Sequence, residues 1–115
     1  MTLSQLQRKF TLKVAKLITW AYKNGYEFTF SEAYRPEETA KLYARQGRGI
    51  KNSLHTKRLA IDLNLFIKGR YQTSSRPYKP LAEYWKSLSE KGVDCTAGYD
   101  FGDGNHFSVR YKGVR

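Results

Sequence analysis

Apolar residues recur every three or four positions at the start of the chain, which predicts an amphipathic helix from Leu3 to Tyr22. Its apolar stripe consists of Leu3, Leu6, Phe10, Val14, Leu17 and Ala21. Thr2 and Gln5 have the spacing of a capping box, and Asn24-Gly25 is a typical left-handed stop. A basic amphipathic helix can also lie on a membrane surface, but this pattern favours a helix that packs on the core of a small domain.

A short strand and a short helix follow. Alternation of aromatic with polar residues predicts a β-strand from Tyr26 to Phe30. Pro36 at the first helical position and Arg45 in the last turn before Gly47 delimit a second helix. Arg35 lies at the junction between the two elements, where a side chain can project into a site. The alternative for Arg35 is a surface ion pair with Glu32 or Glu38.

The middle of the chain predicts a loop and then a second strand. Residues 46–54 contain glycine and basic residues without periodicity, which indicates a mobile basic loop. Aliphatic residues then alternate from Leu59 to Leu65, so the side chain of Asp62 lies opposite the aliphatic face of a strand. His55 lies an odd number of residues earlier. The segment from Thr56 to Arg58 must therefore bend if His55 and Asp62 are to converge.

The last third of the chain predicts a turn, a loop, a helix and a strand. Lys68-Gly69 is a turn, and the polar stretch from Tyr71 to Lys79 is a second basic loop. Pro80 opens a third helix that extends to Lys91 and ends before a glycine. A turn containing Asp-Gly then leads into a final strand that begins at His106.

Composition limits the class of protein. The 115 residues suffice for one domain, 1–115, with a real core, and the high aromatic content excludes a disordered chain. Cys95 is the only cysteine, so an internal disulfide and a cysteine-rich metal site are excluded. The formal charge of +11 indicates attraction to a polyanion, for which nucleic acid, anionic cell wall and anionic lipid all qualify.

The chain contains no apolar run long enough to span a bilayer, and its N-terminus lacks the pattern of a secretory signal. We therefore expect synthesis in the cytosol, with release by some other agent if the protein acts outside.

The candidate chemistry centres on the only two histidines, each of which lies within a few residues of an aspartate. His55, Asp62 and His106 could hold a zinc ion with one open position, which is typical of catalytic zinc. Asp103 could then act as general base and Arg35 could stabilise an oxyanion. The alternative is a packed or solvated histidine and an Asp-Gly pair that is simply a turn, and the His-Glu-x-x-His helix of many zinc hydrolases is absent.

Three segments together resemble a known family. Tyr34-Arg35, Ser53-x-His55-x(6)-Asp62 and Asp103-x-x-His106 are similar in order and spacing to motifs of certain zinc peptidases. That family includes the D-Ala-D-Ala carboxypeptidases, the vancomycin-resistance dipeptidases and the L-alanyl-D-glutamate endopeptidases of bacteriophages. The resemblance spans residues 30 to 109.

The resemblance implies an α+β domain whose antiparallel sheet lines a zinc site. It implies zinc on His55, Asp62 and His106, Asp103 as the base, Arg35 polarising the scissile carbonyl, and Ser53 supporting the site or contacting substrate. The family commonly has glycine three residues after the first histidine, where this chain has Arg58, so the bend must form without glycine. Aspartate rather than glutamate at position 103 is more similar to the phage endopeptidase branch.

The resulting hypothesis is a zinc-dependent peptidoglycan peptidase, a phage or prophage endolysin that cuts the L-Ala-D-Glu bond of the stem peptide. We expect a monomer that acts on the stem peptide and the anionic envelope, without a nucleic-acid partner. D-Ala-D-Ala carboxypeptidase activity at the same site is one alternative. A non-enzymatic basic module that binds nucleic acid or cell wall is the other.

Overall fold

Three α-helices and a five-stranded antiparallel sheet make up the part of the chain that the computed structural model describes, residues 1–48 and 53–115. The α+β class expected from the sequence is confirmed. In chain order the elements are α1 (Leu3–Lys23), β1 (Tyr26–Phe30), α2 (Glu37–Arg45), β2 (Ala60–Ile67), β3 (Arg70–Tyr71), α3 (Lys79–Ser87), β4 (Cys95–Ala97) and β5 (His106–Val109). Short 3₁₀ turns occur at Leu54–Lys57, Arg76–Tyr78 and Gly98–Phe101.

Strand β2 is the strand with the most partners. Its C-terminal half pairs with β1, with Phe30 opposite Leu63, and its first three residues pair with β5, with Asp62 opposite His106. β3 pairs with the end of β2 across the Lys68-Gly69 turn, and β4 pairs with β5. The main strand order is β1-β2-β5-β4. β2 therefore carries Asp62 at the point where its partner changes from β5 to β1.

Helix α1 packs on the core as its apolar stripe predicts, because Leu6, Phe10, Val14, Leu17 and Ala21 are all buried. The capping box formed by Thr2 and Gln5 is confirmed. In the core, the ring of Trp85 lies 5.8 Å from that of Phe10 and 5.9 Å from that of Phe107, both edge to face. None of the helices described here is long and apolar enough to cross a bilayer.

The third helix is shorter than the prediction of Pro80 to Lys91. It ends at Ser87, because the backbone of the following residues closes a tight turn in which Glu90 and Val93 exchange two hydrogen bonds of 2.9 and 2.8 Å. The Glu90 carboxylate also accepts a 2.7 Å hydrogen bond from buried Lys13 of α1. This long-range pairing holds the segment out of the helix and directs the chain into β4.

Several smaller features differ from the expectations. Pro36 lies one residue before α2, in extended backbone, and the helix begins at Glu37. The polar stretch from Tyr71 to Lys79 is not wholly a loop, since it contains the end of β3 and a 3₁₀ turn. β4 was not predicted, because three residues are too few to show an alternation. Of the basic loop expected at 46–54, residues 49–52 lie outside the described ranges, and Leu54 is buried at the start of a 3₁₀ turn.

Candidate metal centre

Three of the predicted site residues converge. Nε2 of His55 and Nδ1 of His106 each lie 3.3 Å from the same carboxylate oxygen, Oδ1 of Asp62. The three candidate ligand atoms all lie within 4.8 Å of one another. Both histidines are buried and Asp62 is partly exposed. Within residues 1–48 and 53–115, this is the one group of three or more such side chains close enough to share a metal ion.

The sheet and a backbone bend bring the three side chains together. Asp62 on β2 and His106 on β5 are directly opposite each other in the antiparallel register, so both side chains project from the same face. His55 lies in the 3₁₀ turn that precedes β2, and Arg58 ends that turn in a left-handed conformation with φ 55° and ψ 38°. The bend required between His55 and Asp62 is therefore confirmed, and an arginine makes it.

Hydrogen bonds set the orientation of the His55 ring. Its Nδ1 lies 3.2 Å from the carbonyl oxygen of Ala33, which can only accept, so Nδ1 carries the proton. In the neutral ring, Nε2 then presents a lone pair toward the Asp62 carboxylate. Two electron-rich groups face each other at 3.3 Å, an arrangement that a cation between them stabilises.

The electrostatics of the group agree with this requirement. Burial raises the pKa of Asp62, but hydrogen bonds with His106 and His55 and their charges outweigh burial and lower it from 3.8 to about 2. Burial lowers the pKa of His55, but the hydrogen bond and charge of Asp62 outweigh it, so the pKa of His55 lies above 6.5. The site thus favours bound positive charge, whether a proton or a metal ion supplies it.

The donor set fits a divalent metal ion. Two imidazole nitrogens and one carboxylate oxygen are the ligand types of catalytic transition-metal sites that leave a further position for water or substrate. Nε2 of His106 is buried without a hydrogen-bond partner among the described residues. The ionised Asp62 carboxylate can only accept a hydrogen bond, so in the neutral ring Nδ1 of His106 carries the proton toward it and Nε2 presents a lone pair.

Arg35 and Ser53 lie beside this group. The guanidinium of Arg35 forms an ion pair with Glu32 through Nε, at 2.8 Å, and through Nη2. The predicted alternative, an ion pair with a nearby glutamate, is therefore present. Arg35 also lowers the pKa of His55, which shows that its charge is felt at the site. Ser53 is buried, and its Oγ accepts the backbone N–H of His55 at 3.2 Å, so it supports the turn that carries the ligand.

Asp103 lies near the group but outside it. It is exposed and does not belong to the set of mutually close ligand atoms. It lines a polar cavity of about 220 Å³ together with Asn105, Ser74 and Ser75. The backbone places Asp103 next to a ligand, since its carbonyl oxygen accepts the N–H of His106 at 3.0 Å.

Gly98 was missed by the sequence reasoning. A Cβ on Gly98 would lie 2.1 Å from the carbonyl oxygen of Asp103 and 2.7 Å from Cβ of His106, so only glycine allows this close packing behind the ligand. Gly98 does not have a positive φ, and no turn signal marks it.

Comparison with known proteins gives one result on the fold. No family model matches the chain, and no curated protein sequence does. The fold is similar to that of the Serratia marcescens L-Ala D-Glu endopeptidase ChiX, with a TM-score of 0.70 and 19% sequence identity. The match covers 95% of this chain and 86% of that one. At this identity the likeness establishes a shared fold, and the chemistry of this chain must be inferred from its own residues.

Proposed function

We propose that the protein is a zinc-dependent peptidase that cuts the L-Ala-D-Glu bond of the peptidoglycan stem peptide. The observation that carries the proposal is the convergence of His55, Asp62 and His106, which each offer one ligand atom within 4.8 Å of the other two. The fold is that of a protein named as an L-Ala D-Glu endopeptidase, which supports this substrate class. The motif spacing supports the same family independently of the fold.

His55, Asp62 and His106 would hold the zinc ion. When bound, zinc supplies a Lewis acid that polarises a carbonyl and lowers the pKa of water from ~15.7 to about 7. The protein contributes the orientation of the ligands. The Ala33 carbonyl fixes the His55 ring, and the antiparallel register of β2 and β5 fixes Asp62 opposite His106.

Asp103 would move the proton. Its carboxylate would accept a proton from the attacking water and deliver it to the nitrogen of the leaving amine. Exposure of this side chain beside the polar cavity leaves it accessible to substrate. Gly98 packs against its carbonyl oxygen and accepts its N–H at 2.8 Å, which holds the backbone of Asp103 in place.

Arg35 would stabilise the developing oxyanion. Because Glu32 engages Nε and Nη2 of the guanidinium, the Nη1 edge is the part that could face a substrate carbonyl. The ion pair thus has a use in the reaction: it restricts the rotamers of Arg35 and orients a fixed positive charge near His55.

The biological setting that we propose is bacterial cell-wall lysis by a phage or prophage enzyme. The formal charge of +11 suits an enzyme that must bind an anionic envelope. D-Ala-D-Ala carboxypeptidase activity would use the same metal centre, and the products of digestion distinguish the two reactions.

The test is mass spectrometry of purified peptidoglycan digested with zinc, with chelator, and with three variants. We expect new L-Ala carboxyl ends and D-Glu amino ends with zinc only. His55→Ala should lose bound zinc and activity. Asp103→Asn should retain zinc and lose turnover by several orders of magnitude. Asp100→Asn is the matched control, because Asp100 is also exposed and pairs only with Lys86 on the surface.

Three outcomes would contradict the proposal in different ways. Loss of terminal D-Ala instead of internal cleavage would make the enzyme a carboxypeptidase with the same site. Full activity of Asp103→Asn would remove that residue as the base. Absence of both bound zinc and cleavage would favour a basic module that only binds cell wall or nucleic acid.

A further inference from the structure

A second concave surface lies outside the metal centre, between α2, the Leu54–Lys57 turn and the C-terminal turn Tyr111–Val114. The cavity has a volume of about 450 Å³, and three lysines from these three elements line it: Lys41, Lys57 and Lys112. We propose that this basic cavity binds a phosphate ester, that is, a phosphate group attached to a small organic group. None of its lining residues belongs to the metal centre, so the site is separate from the proposed peptidase activity.

The basic cavity carries an excess of positive charge. The basic cavity contains one carboxylate, that of Glu37, and its Oε1 lies 3.6 Å from Nζ of Lys57. This pair leaves the charges of Lys41 and Lys112 without an acidic partner among the lining residues. Ammonium groups that share a concavity repel each other, and a bound anion relieves this repulsion. A phosphate monoester carries about −1.5 to −2 at pH 7, which matches two lysines.

Hydrogen bonds hold the backbone in the walls of the basic cavity. Tyr111 and Val114 exchange two backbone hydrogen bonds of 2.9 Å, which close a tight turn with Lys112 at φ 49° and Gly113 at φ 78°. On the opposite wall, the Lys57 carbonyl accepts a 2.8 Å hydrogen bond from Nε2 of Gln7 in α1. The lysine backbones are thus held before any ligand binds, and preorganisation of this kind favours affinity.

The basic cavity also has apolar surface that could contact the organic part of a ligand. Leu54 is 2% exposed, and Val114 and Tyr111 are half-buried, so the basic cavity has apolar surface beside its charged groups. Inorganic phosphate could use only the lysines. A phosphate ester could also place its carbon skeleton against the apolar surface. A phosphate ester occurs in a free monoester and also, with a single negative charge on each phosphate, in the phosphodiester units of an envelope polymer.

The experiment measures binding directly and does not need peptidase activity. Three probes, inorganic phosphate, glycerol 3-phosphate and a glycerol phosphate oligomer, are titrated at constant ionic strength into ¹⁵N-labelled protein. Amide shifts report the place of binding, and calorimetry reports the affinity. The variant K41Q/K112Q removes the two unpaired charges. Its matched control, K16Q/K68Q, removes one exposed helical lysine and one lysine from a turn of the same type.

We expect saturable shifts at Thr56, Lys57 and Val114, with the esters binding more tightly than inorganic phosphate. Binding should weaken roughly tenfold or more in K41Q/K112Q and change little in K16Q/K68Q. Stronger binding of the oligomer than of the monoester would identify the polymer as the source of the phosphate. Equal weakening in both variants, or shifts that do not saturate, would overturn the proposal, because general attraction to a basic surface would then explain the binding.

Removal of metal with a chelator before the titration distinguishes binding at this site from binding at the proposed metal centre. We expect unchanged affinity for glycerol 3-phosphate after metal removal. An affinity that disappeared with the metal would show that the phosphate had bound to the metal ion, and the basic cavity would then lose its role.

Discussion

Arg58 is the residue on which the approach of His55 to Asp62 depends most directly. It holds φ 55° and ψ 38°, a left-handed conformation in which a side chain costs about 1–2 kcal/mol. Its guanidinium lies 4.0 Å from the centroid of the Tyr34 ring, a cation–π contact worth about 0.5–1 kcal/mol at an exposed site. The contact offsets part of the backbone strain, which explains how an arginine occupies a position where the peptidase family that the sequence resembles commonly has glycine.

Comparison of Arg58→Gly with Arg58→Ala isolates the free-energy cost of the left-handed backbone, because both variants lose the cation–π contact. We expect the glycine variant to be more stable by about 0.5–1 kcal/mol, since relief of left-handed strain exceeds the entropy that glycine adds to the unfolded chain. Urea denaturation measures the difference. Arg45, in the last turn of α2, is the control, and there alanine should be the more stable variant by about 1 kcal/mol. If the alanine variant were the more stable of the two at both positions, Arg58 would not hold this conformation.

Among the elements, β2 has an unusual edge. Between the residues paired with β5 and those paired with β3, the hydroxyl of Tyr78 bridges the strand: it accepts the N–H of Leu65 and donates to the carbonyl of Leu63, both at 2.9 Å. Tyr78 is buried, and burial raises the pKa of its hydroxyl above 10, so the group stays protonated and can donate. One side chain thus substitutes for a residue of a neighbouring strand.

Tyr78→Phe should destabilise the protein by about 1–3 kcal/mol, because it leaves a buried N–H and a buried carbonyl without a partner. Tyr22→Phe is the control. The Tyr22 hydroxyl also bridges the backbone of one strand residue, the N–H of Phe28 at 3.1 Å and its carbonyl at 3.3 Å, but at an exposed position. Water can replace that hydroxyl, so the expected loss is below about 0.5 kcal/mol. If thermal or chemical unfolding showed the same loss of stability in both variants, burial of the hydroxyl would not decide the size of that loss.

At the scale of the whole molecule, we expect the positive charge to affect where the protein binds more than the rate of the proposed reaction. Interactions of exposed charges over more than a Debye length, about 10 Å at 0.1 M salt, are screened. The proposed metal centre would act on atoms in direct contact, where screening is weak. Charge and catalysis should therefore respond differently to ionic strength.

Sedimentation with purified cell walls and cleavage of a small neutral muropeptide separate these two effects. Raising salt from about 0.05 to about 0.5 M should release most of the wall-bound protein, because the Debye length falls below about 5 Å. The rate of cleavage of the neutral fragment should change little over the same range. If wall binding resists salt, a specific contact rather than the charge of +11 holds the protein on the wall.

The sequence was sufficient for elements whose contacts show in their own pattern. Helix α1 follows the predicted periodicity closely, and the alternation that identified β2 gave the correct face for Asp62. Both elements bury one face, and burial of one face leaves a repeat of 3.6 or 2 residues in the sequence. Strand β1 has the predicted bounds, but Phe30 is 73% exposed, so its aromatic face is buried only in part. The order and spacing of the motif also indicated which three side chains would meet, and the structure brings those three together.

The tertiary structure alone decided the features that depend on residues far apart in the chain. The ion pair of Lys13 with Glu90 accompanies the early end of α3, the Tyr78 hydroxyl completes the edge of β2, and Gly98 admits close packing behind His106. None of these contacts leaves a periodic signal, because each joins two positions that are distant in sequence. Local propensity therefore determined the elements and the identity of the candidate ligands, whereas long-range packing determined where elements end and how the ligands are oriented.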